Sequence, residues 1–165
     1  MIGISETQQA LETVVQDTFA TMVFLFPEDR DDPPPPPETF LTAVVGFSGP
    51  FRGEIRLSVG PDMPALVAAN MLGLEDGCVP TSEQEHDALG ELVNVICGNL
   101  LPAITSPLEV FNVHEPRVQA GECPGRYDAP ARSDMWLDGG FVRVSLTLHS
   151  AAAPACEPSC GGPKT

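Results

Sequence analysis

The stretch from Ser82 to Pro102 constrains the fold most, because its side chains fit one period only. Placed on a helical wheel at about 100° per residue, Leu89, Leu92, Val93, Ile96, Leu100 and Ala103 gather on one side. Asp87, Glu91, Asn94 and Gly98 gather in a narrow stripe on the opposite side. Ser82 followed by Glu85 three residues later reads as a capping box at the start. Pro102 has no N–H to give to the carbonyl of Gly98, so the helix ends or kinks there. The expected helix runs from about Glu83 to about Leu101. A helix that is apolar along one side must bury that side against a second layer, which the rest of the chain has to supply.

Strands supply it. Thr39–Phe47 is rich in Val, Phe and Thr, Ser48-Gly49-Pro50 is turn chemistry, and Phe51–Val59 alternates Ile55, Leu57 and Val59 with Glu54, Arg56 and Ser58. Val110–Val118 and Met135–Leu148 read as further strands, the second folded at Leu137-Asp138-Gly139-Gly140. Two more helices are expected. Residues 5–26 carry Leu11, Val15, Phe19, Met22 and Phe26 at helical spacing, with Ser5 as N-cap and Pro27 as stop. Asp62–Leu72 is shorter, capped by Asp62 and closed by Gly73. Glu122–Ser133 reads as a loop. Tight turns between consecutive strands mean antiparallel pairing. The fold class is therefore α+β, with helices packed on an antiparallel β-sheet, in a single domain over residues 1–149. Residues 28–38 hold four acidic residues in Glu28–Asp32 and then Pro33 to Pro37, an acidic, proline-rich connector. Residues 150–165 hold too little apolar surface to offset their ordering entropy and are expected to be disordered.

The formal net charge is −15, from 8 basic and 23 acidic residues. Nucleic-acid binding calls for clustered cations to replace counterions, and an anionic membrane surface calls for the same, so both partners are set aside. No apolar run approaches the ~20 residues that span a bilayer, and residues 1–9 lack the basic and apolar regions of a signal peptide, so a cytoplasmic location is expected. Cys78, Cys97, Cys123, Cys156 and Cys160 are odd in number and scattered, which argues against a disulfide framework. His86, His114 and His149 form no zinc-type spacing, and no metal site is expected.

Asp87, Glu91, Asn94 and Gly98 are spaced by four, three and four, so they stack along one helical face. A carboxylate and an amide on the solvent side of an amphipathic helix are ordinary surface residues, and an E-x-x-N spacing alone is weak evidence. Gly98 asks for a reason, since glycine inside a helix costs about 1 kcal/mol against alanine. Close approach of another surface is one reason; packing near Pro102 is another.

The wording around the pair is more specific. Asp87-Ala88-Leu89-Gly90-Glu91-Leu92-Val93-Asn94-Val95-Ile96-Cys97-Gly98-Asn99-Leu100 resembles the signature helix of the CheX/CheC chemotaxis phosphatases, with Gly-Asn four residues after the motif's Asn. Val45-Gly46-Phe47-Ser48-Gly49 and Gly53-Glu54-Ile55 are similar to that family's first hairpin, and Ala65–Leu74 to its next helix. The likeness covers roughly residues 40–105, and the connector at 28–38 departs from the family pattern. The first helix has no E-x-x-N, since Glu6 is followed by Gln9 and Glu12 by Val15, so the chain is similar to single-site CheX rather than two-site CheC.

The resemblance implies an α+β fold, a homodimer, and hydrolysis of the aspartyl phosphate of a CheY-like response regulator. It implies Asn94 and Glu91 as the catalytic pair, Asn94 holding the attacking water and Glu91 pairing with the receiver's lysine. Asp87 and Gly98 become partner contacts, and Asn99, off the stripe, a structural hydrogen-bonding residue. No cofactor of its own is implied; the Mg²⁺ comes with the receiver. The competing reading is a non-catalytic dimeric adaptor of the same fold, which would bind without turnover. A metal- or thiol-dependent enzyme built on Cys156 and Cys160 is a remote third, and deletion of the tail after Ser150 would test it.

Overall fold

The computed structural model describes residues 1–121 and 129–149. The expected disordered tail, Cys123, Cys156, Cys160 and residues 122–128 of the expected loop lie outside the described residues. Within them, three α-helices pack on one face of a six-stranded antiparallel sheet.

Helix α1 spans Ile4–Thr18 and runs directly into a π-helical turn, Phe19–Val23. Its start differs from expectation. Gly3, not Ser5, is the N-cap, and its N–H donates to the Glu6 carboxylate at 3.0 Å. Its end differs too: the chain turns out at Phe24, in the left-handed region at φ 60°, before Pro27 is reached. The hydroxyls of Thr18 and Thr21 donate to the carbonyls of Val14 and Asp17, at 2.7 and 2.8 Å. Such back-bonding competes with the helical ladder and favours a widened turn. The turn keeps Val23 and Leu25 in the core and leaves Phe24 and Phe26 exposed.

Strands β1 (Leu41–Ser48) and β2 (Arg52–Val59) form the expected hairpin, with Leu41 opposite Val59 and Phe47 opposite Gly53. Helix α2 is Met63–Leu72, closed by Gly73 in the left-handed region. Asp62 stands at its N-cap position but makes no side-chain capping bond, because its backbone is already helical. Helix α3 is Ser82–Ile104. Its capping box lies one residue earlier than expected: the N–H of Gln84 donates to Thr81 Oγ1 at 3.1 Å, and the N–H of Thr81 to Gln84 Oε1 at 2.9 Å. Pro102 sits inside the last turn, and the helix continues past it to Ile104. Thr105 Oγ1 donates to the Leu101 carbonyl at 2.6 Å, which helps satisfy the frayed end.

The expected strand over Val110–Val118 is broken in two, β3 (Asn112–Val113) and β4 (Arg117–Ala120), both pairing with β1. Pro116 between them has no N–H for a ladder. Strand β5 (Ala131–Leu137) begins within what the sequence reads as loop, and β6 (Gly140–His149) returns through the Asp138-Gly139 turn, with both residues at positive φ. The sheet order is β3-β1-β2-β6-β5, with β4 also on β1. Edge strand β5 is covered rather than open. The Gln8 side-chain amide pairs both ways with the Arg132 backbone, at 2.7 and 2.9 Å, and the N–H of Glu28 donates to the Trp136 carbonyl at 2.8 Å. Covering an edge in this way removes a template for association.

The connector 28–38 carries no helix or strand and is pinned to the β5–β6 turn. Glu28 accepts from the Gly139 N–H at 2.6 Å and pairs with Arg30, whose guanidinium rests 5.7 Å over the Trp136 ring. The Gly139 N–H first, and Arg30 second, hold the Glu28 carboxyl below the usual carboxylate range.

The core lies between sheet and helices. Leu89, Leu92, Val93, Ile96 and Leu100 of α3 meet Val45, Ile55, Leu57, Val144 and Leu146 of the sheet in one cluster. Each is fully shielded from solvent, and such burial stabilises by about 1.5–3 kcal/mol per side chain. By length and composition α3 is also the one helix among the described residues that could cross a membrane, although no uninterrupted apolar run announces it. The core helix of a globular fold meets the same criterion, and 56% of its apolar window is buried here.

Candidate functional site

Helix α3 is fixed by its apolar side, so its other side is displayed by default. Asp87, Glu91, Asn94 and Gly98 are all exposed, while Leu89, Leu92, Val93 and Ile96 between them are buried. The structure thus brings together on one stripe the four residues that the wheel aligns. Neighbours three and four apart on a helix have Cβ atoms about 5–6 Å apart, close enough for Glu91 and Asn94 to meet one substrate group. Neither residue makes a side-chain hydrogen bond or ion pair among the described residues, and nor does Asp87. The pair is held by its backbone and its donors and acceptors are unspent.

Gly98 continues the stripe into open space. A Cβ built there would meet no atom of the described residues within 4 Å, the Pro102 ring included. Packing against Pro102 is therefore not the reason for the glycine. The missing N–H of Pro102 also leaves the Gly98 carbonyl without its usual intrahelical donor. Asn99 is exposed and makes no side-chain hydrogen bond among the described residues, so the structural role expected for it is not found.

Asp87 and Glu91 form a ridge between two hollows. One, of about 250 Å³, is lined by Met22, Met71, Leu72, Gln84 and Ala88 together with the two acids. The other, of about 340 Å³, is lined on its far side by Glu115, Pro116 and Val118. There the β3–β4 turn leans on α3, and a Cβ at Gly90 would stand 3.5 Å from Pro116 Cγ. Nothing in the sequence ties Met22, Met71, Leu72 and Pro116 to Glu91. They belong to separate elements, and only the tertiary fold sets them beside Glu91.

The remaining reactive groups take no part in this surface. Cys97 is fully buried one residue before Gly98, and burial pushes its thiol up to about 12, so it stays protonated and inert. Cys78 is exposed. No group of three or more His, Cys, Asp or Glu among the described residues has a metal-holding arrangement. His114 instead sits against Ser48, with Nε2 and Oγ 3.2 Å apart.

An antiparallel sheet backed by helices makes this an α+β domain, and one of those helices displays an unpartnered carboxylate–amide pair on an open face. Residues 41–122 match the family model described as chemotaxis phosphatase CheX. Over those residues the chain carries a domain of the CheX family. Solved structures agree on the fold. A chemotaxis protein CheX from Desulfovibrio desulfuricans is 22% identical with a TM-score of 0.68, over 87% of this chain and 99% of that one. CheX from Borrelia burgdorferi, solved as a CheX–CheY–BeF3–Mg complex, is 17% identical with a TM-score of 0.62, over 86% and 97%. Thermotoga maritima FliY is 16% identical with a TM-score of 0.53, over 87% and 91%. No sequence among curated proteins matches the chain.

Proposed function

We propose that this protein is a phosphatase of the aspartyl phosphate on a CheY-like response regulator, acting in the cytoplasm as a homodimer. The observation that carries the reading is the exposed, unpartnered pair Glu91 and Asn94 on a rigid helix, with open space over Gly98. The CheX-family domain and the existence of a CheX–CheY complex in a structural neighbour support a CheY-directed role.

The chemistry asks little of the phosphatase. Water attacks phosphorus, the bond from phosphorus to the aspartyl carboxyl oxygen breaks, and inorganic phosphate and a free aspartate result. The receiver brings its own Mg²⁺ and lysine to neutralise charge. What remains is positioning of the nucleophile and of the two proteins. The Asn94 carbonyl oxygen accepts a hydrogen from the attacking water and aims its lone pair at phosphorus, while the amide NH₂ donates to a receiver oxygen. The Glu91 carboxylate, one helical turn away, pairs with the receiver's lysine and sets the register of docking. Asp87 and Gly98 extend the contact at either end of the stripe.

The test is phosphate loss from a phosphorylated receiver of the same organism, with and without the protein. Wild type accelerates the loss; Asn94→Ala abolishes the acceleration with binding retained, and Glu91→Ala weakens both. Binding without acceleration by wild type would replace this reading with the adaptor, and sedimentation of the free protein as a monomer would remove the dimer.

A further inference from the structure

Resting on the reading above, we infer that the hollow beside Glu91 receives a lysine or arginine side chain from the docked receiver's surface, outside its phosphorylation pocket, and so selects among receivers.

The hollow has two unlike walls. Met22, at the π-helical turn, and Met71 and Leu72, at the end of α2, give it an apolar wall. Leu72 is 50% exposed, a large apolar side chain left uncovered at the rim. Asp87 and Glu91 of α3 give the facing wall two carboxylates, with Gln84 at one end and buried Ala88 as floor. The wall is also built firmly: Asn70 Nδ2 donates to the Val23 carbonyl at 2.8 Å and ties the end of α2 to the π-turn.

The walls decide the occupant. A purely apolar side chain would cover Leu72 but would strip water from Asp87 and Glu91 without giving them a partner, which is costly. An acidic side chain would be repelled. Lysine or arginine satisfies both walls, its methylene stem lying on Met71 and Leu72 and its cationic head reaching the carboxylates. The two methionines can adjust to stems of different length. No lysine or arginine among the described residues lines the hollow. Among the described residues Arg52, Arg56, Arg117, Arg132 and Arg143 stand on the sheet face turned away from the helices, and Arg30 rests over Trp136 on that same face. Glu91 can serve its catalytic partner on the stripe, which leaves Asp87 as the carboxylate that marks this contact.

The experiment measures KM and kcat for dephosphorylation of the cognate receiver by Asp87→Lys and Leu72→Ser. Both positions are exposed, and circular dichroism checks that the variants fold. For Asp87→Lys we expect KM to rise by about tenfold, as loss and reversal of a docking charge would give, with kcat nearly unchanged; Leu72→Ser gives a smaller rise of the same kind. A receiver in which one surface Lys or Arg is changed to Glu should lose affinity for wild type and regain it for Asp87→Lys. The inference is overturned if both variants keep the wild-type KM, if they lower kcat as Asn94→Ala does, or if no surface cation of the receiver is rescued. Wild type that neither binds nor dephosphorylates any receiver would be a different result, and would remove the phosphatase reading together with this one.

Discussion

At the scale of single residues, the stripe of α3 shows how a functional position can be told from a structural one. Leu92 and Ile96 are explained by the core they fill. Gly98 is not explained by any packing among the described residues, because none of their atoms stands within 4 Å of where its Cβ would be. Glycine in a helix interior costs about 1 kcal/mol against alanine, so the fold alone would favour alanine here. Gly98→Ala should therefore stabilise the protein by about 0.5–1 kcal/mol, read as a higher urea midpoint at unchanged slope. The same variant should dephosphorylate the receiver more slowly, because the new methyl group stands where the partner backbone would approach. Improvement in both measurements would show that nothing docks over Gly98. Glu91 and Asn94 differ from Gly98 in kind: their substitution should leave stability within about 0.5 kcal/mol of wild type, as for other exposed positions.

At the scale of elements, the passage from α1 into the π-turn carries the clearest local strain. Phe24 adopts φ 60° and ψ 32° while its ring is 67% exposed, where a helix C-terminus ordinarily uses glycine. Phe24→Gly should raise the unfolding free energy by about 1 kcal/mol, since the ring buries little and the backbone strain is relieved; a loss of that size in thermal unfolding would show instead that the ring packs usefully in solution. This turn also marks where sequence reasoning gave out. The long helix, the first hairpin and the Asp138-Gly139 turn were legible because period and turn chemistry are local. The Glu91–Asn94 stripe was legible for the same reason. The π-turn was not, since hydroxyl back-bonding by Thr18 and Thr21 leaves the apolar spacing of a regular helix almost intact. The break at Pro116 was readable in principle, because a proline inside a strand argues against it. The capping boxes slipped because Thr81 and Ser82 are equally good caps, and Gly3 serves only because Glu6 reaches back to it. The hollow beside Glu91 was out of reach, since its wall joins the π-turn, α2 and α3.

At the scale of the whole molecule, net charge conceals how charge is arranged. The value of −15 argues against anionic partners only on average. In register across the sheet, Arg117, Val44, Arg56, Ser145 and Arg132 form one row on the face away from the helices, and Ser58, Arg143 and Asp134 another. Glu54 pairs with Arg56, and Asp134 with Arg143 and Arg132, so the acids of that face are matched. The helical side has no such matching: Glu6, Glu12, Asp17, Glu83, Glu85, Asp87 and Glu91 stand on α1 and α3 with no lysine or arginine on either helix. The molecule is thus polarised, with the candidate site at its negative side. Two consequences oppose each other when salt is added. Screening weakens the ion pairs of the sheet face, but exposed pairs are worth little, about 0–1 kcal/mol each. Screening also relieves repulsion among the unmatched carboxylates, which acts over distances comparable with the helix layer and destabilises the compact state. The second effect should win. Between ~10 mM and ~0.5 M NaCl, where the Debye length falls from about 30 Å to a few ångströms, the melting temperature should rise by a few degrees. The rise should shrink in a Glu83→Lys, Glu85→Lys double variant, which places cations among the carboxylates of α3. A melting temperature that falls with salt would mean that the arginine pairs of the sheet face outweigh the repulsion, and that the helical side carries less potential than its carboxylates suggest.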